Sequence, residues 1–322
     1  MNKNEFYYLS ADGKTQIHAV EWIPDVKPKA ILQIAHGVTE YILRYEQFAE
    51  YLVEKGIMVV GNDHLGHGKS IVKDSEPMYF GPVGSWDWAV KDMYTCTEMI
   101  KEKFPEMPYY MLGFSLGSFL LRTYLIEYPK AIDAAIIMGT GETPPVQIAL
   151  AKFIANKEAK KVGENHTSPM IKKLTFDTYN KFFAPNRTDY DWLCSDNEGL
   201  DEYIADPMRG GNLSAGLFRE MLSGMKFTSE IKNLKKMNLD TPILFISGDE
   251  DPVGENGKGV IKAYHKFQNI GMKDVEIKLY PKLRHDILHE KCKKEIYEYV
   301  YNWIEKKMYI NSKGLKYIHG VE

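Results

Sequence analysis

The most informative part of the sequence is YYMLGFSLGSFLLRTYLIEY, from Tyr109 to Tyr128. It opens with aromatic and apolar residues, as is typical of a buried strand, and continues directly into GFSLG at 113–117. An apolar, helix-patterned stretch follows and stops before Pro129. A serine on a sharp turn from strand to helix exposes its hydroxyl over the edge of the sheet, and the flanking glycines leave room for that turn. We therefore predict that Ser115 is a nucleophile.

Strand and helix patterns alternate on both sides of this stretch. An Asp-Gly turn at 12–13 separates the first two strand patterns and predicts a β-hairpin. Eight strand patterns are present, at 6–9, 16–23, 30–35, 57–60, 109–112, 131–138, 242–247 and 275–280. From the third strand pattern onward, helix patterns lie between or after the strands, at 41–55, 86–103, 116–128, 258–269 and 288–307. This alternation predicts an α/β fold, with a mostly parallel eight-stranded sheet flanked by helices.

The alternation is interrupted after the sixth strand pattern. Residues 140–232 are helical and mixed in pattern, with prolines at 144–145 and several lysines at 152–161. An insertion of this kind between two strands of one sheet predicts a helical cap over the carboxyl edge of the sheet. We expect a core formed by 1–139 and 233–308, the cap at 140–232, and a loosely ordered C-terminal tail at 309–322. Some apolar cap residues either line an acyl pocket or form the cap's own core: Ile148, Phe153, Ile154, Phe176, Phe182, Phe183 and Trp192.

The composition argues against several classes of protein. A net charge of −3 over 322 residues gives no basis for a nucleic-acid-binding surface, and we expect no nucleic-acid partner. The N-terminal residues lack the apolar core of a signal peptide, and no apolar run approaches the length of a membrane span. The cysteines at 96, 194 and 292 lie far apart without metal-ligand spacing, which is typical of free thiols in a reducing compartment. We expect a soluble, cytoplasmic protein.

A reactive serine needs two further side chains, a base that accepts its proton and a carboxylate that orients the base. When the serine lies on a strand-to-helix turn, the order along the chain is serine, acid, histidine. The acid is expected after the seventh strand pattern, where residues 248–252 are GDEDP. Asp251 is favoured because it lies at the far end of this turn, and Asp249 is the alternative. The base is expected after the last strand, where His285 stands, whereas His289 is expected to pack or cap.

Hydrolysis also needs two N–H groups that bind the negative charge on the attacked carbonyl oxygen. One is predicted to belong to Leu116, the residue after the nucleophile. The other is assigned to Val38, because the sequence HGV at 36–38 follows the third strand pattern and allows a tight turn. His36 itself is expected to be a packing residue.

Two histidine patterns raise the question of a metal. His64 and His67 are three residues apart in a glycine-rich loop, but no third ligand lies nearby in the sequence, and such loops are more often structural. The sequence HDILH at 285–289 resembles a zinc-binding helix, but it has Asp where the usual motif has Glu. It also begins just after a strand and a proline. We therefore expect no metal and no cofactor.

Taken together, these motifs resemble the α/β-hydrolase fold and, within it, the group of monoacylglycerol lipases and lysophospholipases. The matching segments are spread over almost the whole chain, at 36–38, 63–70, 113–117, 248–251 and 285. The resemblance implies Ser115 as nucleophile, Asp251 as acid and His285 as base. It also implies the N–H groups of Val38 and Leu116 as oxyanion donors.

One departure from the family pattern lies in the first loop. The family commonly has Glu-His before an Arg-Tyr pair, whereas here Glu40 is followed by Tyr41, with Arg44 and Tyr45 intact. Because none of these residues is expected to react, the departure concerns the packing of the loop.

The resemblance implies a serine carboxylic-ester hydrolase that acts on monoacylglycerols or lysophospholipid-type esters through an acyl-enzyme intermediate. The expected partners are a small-molecule or lipid ester and, transiently and through the cap, a membrane surface; the oligomeric state is left open. Because the fold hosts other chemistries, a serine aminopeptidase or a thioesterase is the alternative among enzymes. A hydrolase-like binding protein without activity is the alternative outside them.

Overall fold

The mostly parallel sheet predicted from the sequence is present. A computed structural model describes residues 1–71 and 78–318. Within them, eight strands form one sheet in the order β1-β2-β4-β3-β5-β6-β7-β8. The strands are β1 (Asn2–Leu9), β2 (Gln16–Ile23), β3 (Ala30–Ala35), β4 (Ile57–Asn62), β5 (Tyr109–Phe114), β6 (Ala134–Met138), β7 (Ile243–Gly248) and β8 (Val275–Tyr280). β1 pairs antiparallel with β2, as the predicted hairpin requires, and β2 pairs antiparallel with β4, while the other neighbouring pairs are parallel.

Apolar clusters cover both faces of the sheet. Every residue of β3 is buried, and successive side chains belong to different clusters, Ile31 to one and Leu32 to the other. This alternation follows from the pleat, which points neighbouring side chains to opposite faces. The helices are α1 (Glu46–Glu54), α2 (Ser85–Lys103), α3 (Leu116–Glu127), α4 (Pro145–Val162), α5 (Pro169–Leu174), α6 (Phe176–Asn180), α7 (Asn197–Ala205), α8 (Ala215–Ser229), α9 (Ile231–Leu234), α10 (Lys258–Asn269) and α11 (Lys293–Ile318).

The helix predicted at 41–55 begins later than expected. Tyr41 has an extended backbone, Ile42–Tyr45 form a 3₁₀ turn, and α1 starts at Glu46. The cause is a contact over a longer distance in the sequence, since the N–H of Ile42 donates to Oδ1 of Asp63 at 2.8 Å. A side chain from the loop after β4 therefore sets the start of this turn.

The last helix also differs from the prediction at both ends. A 3₁₀ turn covers Ile287–His289, Glu290 is extended, and α11 begins at Lys293 instead of 288. It then continues past Lys307, the predicted end, to Ile318. Residues 308–318 contain no proline, and a single glycine in a helix costs only about 1 kcal/mol. The helix thus extends into the predicted tail, whose residues 319–322 lie outside the described part of the chain.

The insertion after the sixth strand is helical, and it joins two neighbouring strands of the sheet. β6 and β7 are adjacent, and α4–α9 lie between them in the chain. α8 packs on α4 and also on the core helices α2 and α3. The contact with α2 is close, because a Cβ placed on Gly224 would lie 2.1 Å from the Trp86 ring. The boundaries predicted for the core and the cap stay predictions.

Two further findings concern expectations from composition. Cys96, Cys194 and Cys292 are free thiols, as predicted. Among the helices that the structure describes, none has both the length and the apolar character needed to cross a membrane.

Candidate active site

Ser115 lies between the carboxyl end of β5 and the first turn of α3. Its backbone has φ 51° and ψ −116°, a conformation that is costly for a residue with a side chain. A Cβ on Gly113 would lie 2.4 Å from the carbonyl oxygen of Gly117, and a Cβ on Gly117 would lie 2.0 Å from that of Ala35. Both contacts are far too short for any side chain. The turn therefore requires glycine on each side of the serine.

The side chains of Ser115, His285 and Asp251 form one chain of hydrogen bonds. Oγ of Ser115 lies 2.8 Å from Nε2 of His285, and Nδ1 of the same ring lies 2.9 Å from Oδ2 of Asp251. The three residues follow β5, β8 and β7, so they meet where parallel strands have their carboxyl ends. His285 and Asp251 are 1% and 0% exposed. When Nδ1–H donates to Asp251, Nε2 is the acceptor that faces the serine hydroxyl.

Of the carboxylates in the turn after β7, the one in contact with His285 belongs to Asp251. Its Oδ1 also accepts the N–H of Val253 at 2.9 Å, which fixes the carboxylate in the turn. Asp249, the alternative acid, instead accepts the N–H of Lys282 at 2.7 Å. Asp249 therefore stabilises the connection between two loops and does not face the histidine.

The two predicted oxyanion donors belong to residues near this serine, since Leu116 follows it directly and Val38 lines the same cavity. Leu116 is the first residue of α3, so its N–H has no acceptor within the helix. The N–H of Val38 has no acceptor among the described residues. The preceding N–H, that of Gly37, donates to Oε1 of Glu40, which fixes the loop. Both N–H groups are available as donors, and their assignment stays a prediction.

Buried charged side chains form a network that connects the first loop to the residues after His285. Arg44 pairs with Oε2 of Glu40, four residues earlier in the chain, at 3.2 Å and with Oδ2 of Asp286 at 3.3 Å. Nδ1 of His289 lies 2.8 Å from Oδ1 of Asp286, and Nε2 of the same ring lies 3.1 Å from the carbonyl oxygen of Arg44. Burial raises the pKa of Asp286, but His289, Arg44 and His285 oppose it and lower that pKa to about 2. His289 therefore has structural partners, in line with the predicted packing role.

The rest of this network was missed in the sequence analysis. The four-residue spacing of Glu40 and Arg44 is a local signal for their pair, whereas Asp286 lies more than two hundred residues away. Burial raises the pKa of Glu40 despite the nearby Arg44. Arg44 thus links the loop that carries Val38 to the loop that carries His285.

The three histidines near the first loop form a structural cluster. The rings of His36 and His64 have centroids 4.0 Å apart, and those of His36 and His67 are 5.4 Å apart. Nε2 of His36 accepts the N–H of His64 at 2.9 Å. Burial lowers the pKa of His64 to about 3 and that of His67 to about 4, so both rings are neutral at pH 7. Nowhere in 1–71 or 78–318 do three or more His, Cys, Asp or Glu side chains form a group suited to a metal.

A small cavity adjoins Ser115. Its volume is about 20 Å³, little more than the roughly 10–15 Å³ that a single water requires. Core and cap share its walls, since Trp192, Leu193 and Tyr203 belong to the insertion. The ring of Trp192 lies 5.2 Å from that of His285, and the hydroxyl of Tyr203 lies 2.8 Å from Oγ1 of Thr39.

The apolar cap residues considered as pocket candidates have different environments. Trp192 lines the cavity, and Ile148 and Phe176 are buried. Phe153 and Phe182 are 60% and 65% exposed, so neither forms part of a cap core in this conformation. The residue type alone does not distinguish the buried cap residues from the exposed ones. Tyr203, which the sequence analysis did not consider, lines the cavity because α7 lies against the first loop.

Comparison with known proteins gives similarity over nearly the whole chain. The Hydrolase_4 family, described as "Serine aminopeptidase, S33", matches residues 26–292. The monoacylglycerol lipase of Mycolicibacterium smegmatis is 25% identical over 311 residues, which cover 94% of this chain and 97% of that protein. The monoglyceride lipase of Rattus norvegicus is 24% identical over 301 residues, which cover 88% of each.

The fold has close counterparts among solved structures. A thermostable carboxyl esterase from Bacillus coagulans, in complex with glycerol, superposes with a TM-score of 0.88. It is 25% identical in sequence, and the match covers 96% of this chain and 99% of that one. The chain belongs to the Hydrolase_4 family and is a serine hydrolase with the α/β-hydrolase fold.

Proposed function

We propose that the protein is a carboxylic-ester hydrolase that cleaves monoacylglycerols with Ser115 as its nucleophile. The observation that carries this proposal is the hydrogen-bonded chain from Ser115 through His285 to Asp251, with distances of 2.8 and 2.9 Å. The names of the bacterial and rat relatives, both lipases of monoglycerides, support the substrate class. The glycerol complex of the Bacillus coagulans esterase is consistent with glycerol as the leaving alcohol.

The proposed reaction has two stages. Oγ of Ser115 attacks the ester carbonyl carbon while its proton moves to Nε2 of His285. Asp251 holds the other ring nitrogen and stabilises the imidazolium, and the N–H groups of Val38 and Leu116 bind the oxyanion. The imidazolium then gives its proton to the leaving glycerol oxygen, which releases the alcohol and leaves the acyl-enzyme. In the second stage His285 deprotonates a water that attacks the acyl carbon, and the imidazolium returns this proton to Oγ of Ser115 as the bond to the acyl group breaks and the fatty acid is released.

The family description makes a serine aminopeptidase the first alternative. Such an enzyme needs a carboxylate that is free to bind the α-amino group of its substrate. Two carboxylates line the cavity, those of Glu40 and Asp286. Glu40 accepts the hydroxyl of Tyr45 at 2.7 Å and pairs with Arg44, and Asp286 pairs with Arg44 and His289. Because both are occupied, the ester reading is better supported by this site.

Hydrolysis assays distinguish these alternatives. The purified protein is offered 1-monoacylglycerols, a lysophospholipid, an acyl thioester and aminoacyl p-nitroanilides, and a series of p-nitrophenyl esters gives the preferred acyl length. We expect turnover of monoacylglycerols and no turnover of the anilides. Ser115→Ala should lower ester hydrolysis by several orders of magnitude and abolish labelling by a fluorophosphonate probe. Faster cleavage of an anilide than of any ester would replace the proposed function with a peptidase.

The second part of the proposal is transient contact of the cap with an anionic membrane surface. Val146, Leu150 and Phe153 lie on one face of α4 and are 81%, 62% and 60% exposed. Further along this face, Nζ of Lys157 lies 5.6 Å from the Phe153 ring. The segment 145–182 contains seven lysines and three acidic residues, a net charge of +4, whereas the whole chain carries −3. An apolar face flanked by lysines is suited to lipid headgroups of negative charge.

Sedimentation with lipid vesicles tests this contact. We expect the protein to sediment with vesicles that contain phosphatidylglycerol, less with phosphatidylcholine alone, and less at high salt. The double variant Leu150→Ser/Phe153→Ser should lose binding. Ile261→Ser, which alters a residue of the core helix α10 that is 40% exposed, is the matched control and should retain it. Equal binding by the wild type and the double variant would contradict the proposed membrane contact.

The cytoplasmic location expected from the sequence stays a prediction.

A further inference from the structure

The loop that carries His285 is bound directly to the cap. We call residues 284–290 the histidine loop and residues 191–195 the cap strip. Nη1 of Arg284 donates to the carbonyl oxygens of Asp191 and Cys194, at 2.5 and 3.1 Å. One guanidinium nitrogen therefore contacts both ends of a four-residue segment of the cap. Since Arg284 immediately precedes His285, this contact starts next to the proposed base.

Further hydrogen bonds run parallel to this one. The N–H of Asp286 donates to the carbonyl oxygen of Leu193 at 2.7 Å. Glu290 accepts the N–H and the hydroxyl of Ser195 on its two oxygens, at 2.9 and 2.6 Å. Glu290 also accepts the N–H of Arg284 at 3.3 Å, which connects the two ends of the histidine loop. The cap strip is thus bonded along its length to the histidine loop.

The Arg284 side chain contacts the cap through the planar face of its guanidinium as well as through its charge. The guanidinium lies over the ring of Phe183 with 4.2 Å between its carbon and the ring centroid. Nε is buried and has no hydrogen-bond partner among the described residues. The planar group is therefore held between an aromatic ring on the cap and two backbone carbonyls, an arrangement that suits arginine better than lysine.

Along the chain, Trp192 lies between Asp191 and Cys194, the two residues whose carbonyl oxygens Arg284 binds. Its ring faces that of His285 at 5.2 Å and stacks on that of Phe176 at 5.7 Å, with an interplanar angle of 17°. Trp192 is 4% exposed and covers the histidine on the side of the cap. The position of this ring depends on the backbone of the cap strip, and Arg284 fixes that backbone.

We propose that Arg284 is a positioning residue that holds His285 and Trp192 in register across the boundary between core and cap. It acts through these two residues and does not contact the reacting atoms. Without its guanidinium, two of the hydrogen bonds between the cap strip and the histidine loop are lost. The two segments are then held together less firmly, and so is the ring of His285 within reach of Ser115. The effect on turnover rests on the proposed esterase function, whereas the effect on the two segments does not.

Arg284→Met tests this proposal, because the side chain keeps its length and loses all of its donors. Hydrogen bonds from a charged donor contribute strongly, so we expect kcat to fall about tenfold to a hundredfold. The fall should be similar for p-nitrophenyl acetate and p-nitrophenyl laurate, with KM nearly unchanged. The acetyl group is too short to reach far into the cap. A loss confined to KM for laurate would make Arg284 a wall of the acyl pocket and overturn the proposal.

Two further variants serve as controls. Arg284→Lys keeps a cation that can reach the same carbonyls, and it should recover part of the lost kcat. Arg187→Met removes another arginine of the cap, whose Nη1 pairs with Asp201 at 2.8 Å on the surface. It does not contact the histidine loop in the described structure, and it should leave kcat within about twofold of wild type, as surface ion pairs contribute little.

Hydrogen–deuterium exchange gives a measurement that is independent of any substrate. In Arg284→Met, peptides that cover 190–196 and 284–290 should both exchange faster, while peptides from β5 and β6 should not change. Arg187→Met should leave both segments protected. Unchanged protection in Arg284→Met would refute the coupling even if the esterase is active. Absence of ester turnover in the wild type, with faster exchange in Arg284→Met, would instead refute the proposed function and retain the coupling.

Discussion

The substitution Asp251→Asn is the sharpest test of the proposed triad, because it removes one charge and hardly alters the shape of the side chain. In the native turn, Oδ2 of Asp251 accepts from Nδ1 of His285 at 2.9 Å and from Oγ of Ser247 at 3.1 Å. Oδ1 accepts the N–H of Val253 at 2.9 Å. An asparagine keeps the acceptor for Val253 and places an NH₂ group opposite the histidine.

The expected loss follows from the tautomer of the ring. An NH₂ group cannot accept from Nδ1–H, so the proton of His285 moves to Nε2, which then cannot take the proton of Ser115. We expect kcat to fall by a factor on the order of a thousand or more, which corresponds to about 4 kcal/mol in the barrier. KM should change little, because the carboxylate acts most strongly once the imidazolium forms.

Steady-state kinetics with a p-nitrophenyl ester and a thermal unfolding curve for each variant complete the test. Asp249→Asn and Glu250→Gln are the matched controls and should stay within about tenfold of wild type. Asp249 is bonded to the N–H of Lys282, and Glu250 is exposed. An inactive Asp249→Asn beside an active, folded Asp251→Asn would contradict the assignment of Asp251, because the acid would then lie two residues earlier in the turn.

Three further outcomes are expected. His285→Ala should lose activity as severely as Ser115→Ala, whereas His289→Ala should keep most of it, because His289 contacts Asp286 and Arg44 and not the serine; equal losses in kcat would contradict this. Prolonged chelation should leave ester hydrolysis unchanged. Loss of activity on chelation and its recovery on addition of zinc would instead favour a zinc mechanism over the serine mechanism. Burial lowers the pKa of His67 to about 4, from 6.5 in the unfolded chain. The contribution of the neutral His67 ring to the free energy of unfolding is therefore retained above pH 6.5 and lost as the pH falls toward 4. The loss is about 3 kcal/mol, and His67→Leu should reduce the pH dependence of the free energy of unfolding by that amount between pH 7 and 4.

The strands and the serine turn were predictable because local patterns determine them. Continuous apolar runs identify strands that are buried on both faces, and Gly113 and Gly117 identify a turn in which no Cβ fits. The positions of His285 and Asp251 followed from topology, since parallel strands bring the residues at their carboxyl ends to one edge. The choice between Asp249 and Asp251 was less certain, because it depends on the bond from Lys282 to Asp249 across two loops.

The helix ends were less predictable, for a related reason. The 3₁₀ turn before α1 depends on the Asp63 side chain, which lies twenty-one residues from Ile42. The apolar residues of the cap present the same problem in another form. Phe153 and Phe176 have the same side chain and lie on two cap helices, α4 and α6, yet one is 60% exposed and the other 6%. Their environments depend on which face of each helix meets α8 or the core, and the helical period of the cap is too irregular to reveal it.

Tyr41 shows why departures from a family pattern are hard to interpret from sequence. The resemblance placed a histidine at this position in related proteins, and nothing near Tyr41 in the chain explains the change. In the structure its hydroxyl donates to Oδ2 of Asp206 at 2.7 Å, at the end of the cap helix α7. Two residues earlier, Oγ1 of Thr39 contacts the hydroxyl of Tyr203 on the same helix at 2.8 Å. The first loop therefore contacts this chain's own cap at two positions, and the residue at position 41 has a physical explanation only once its partner Asp206 is known.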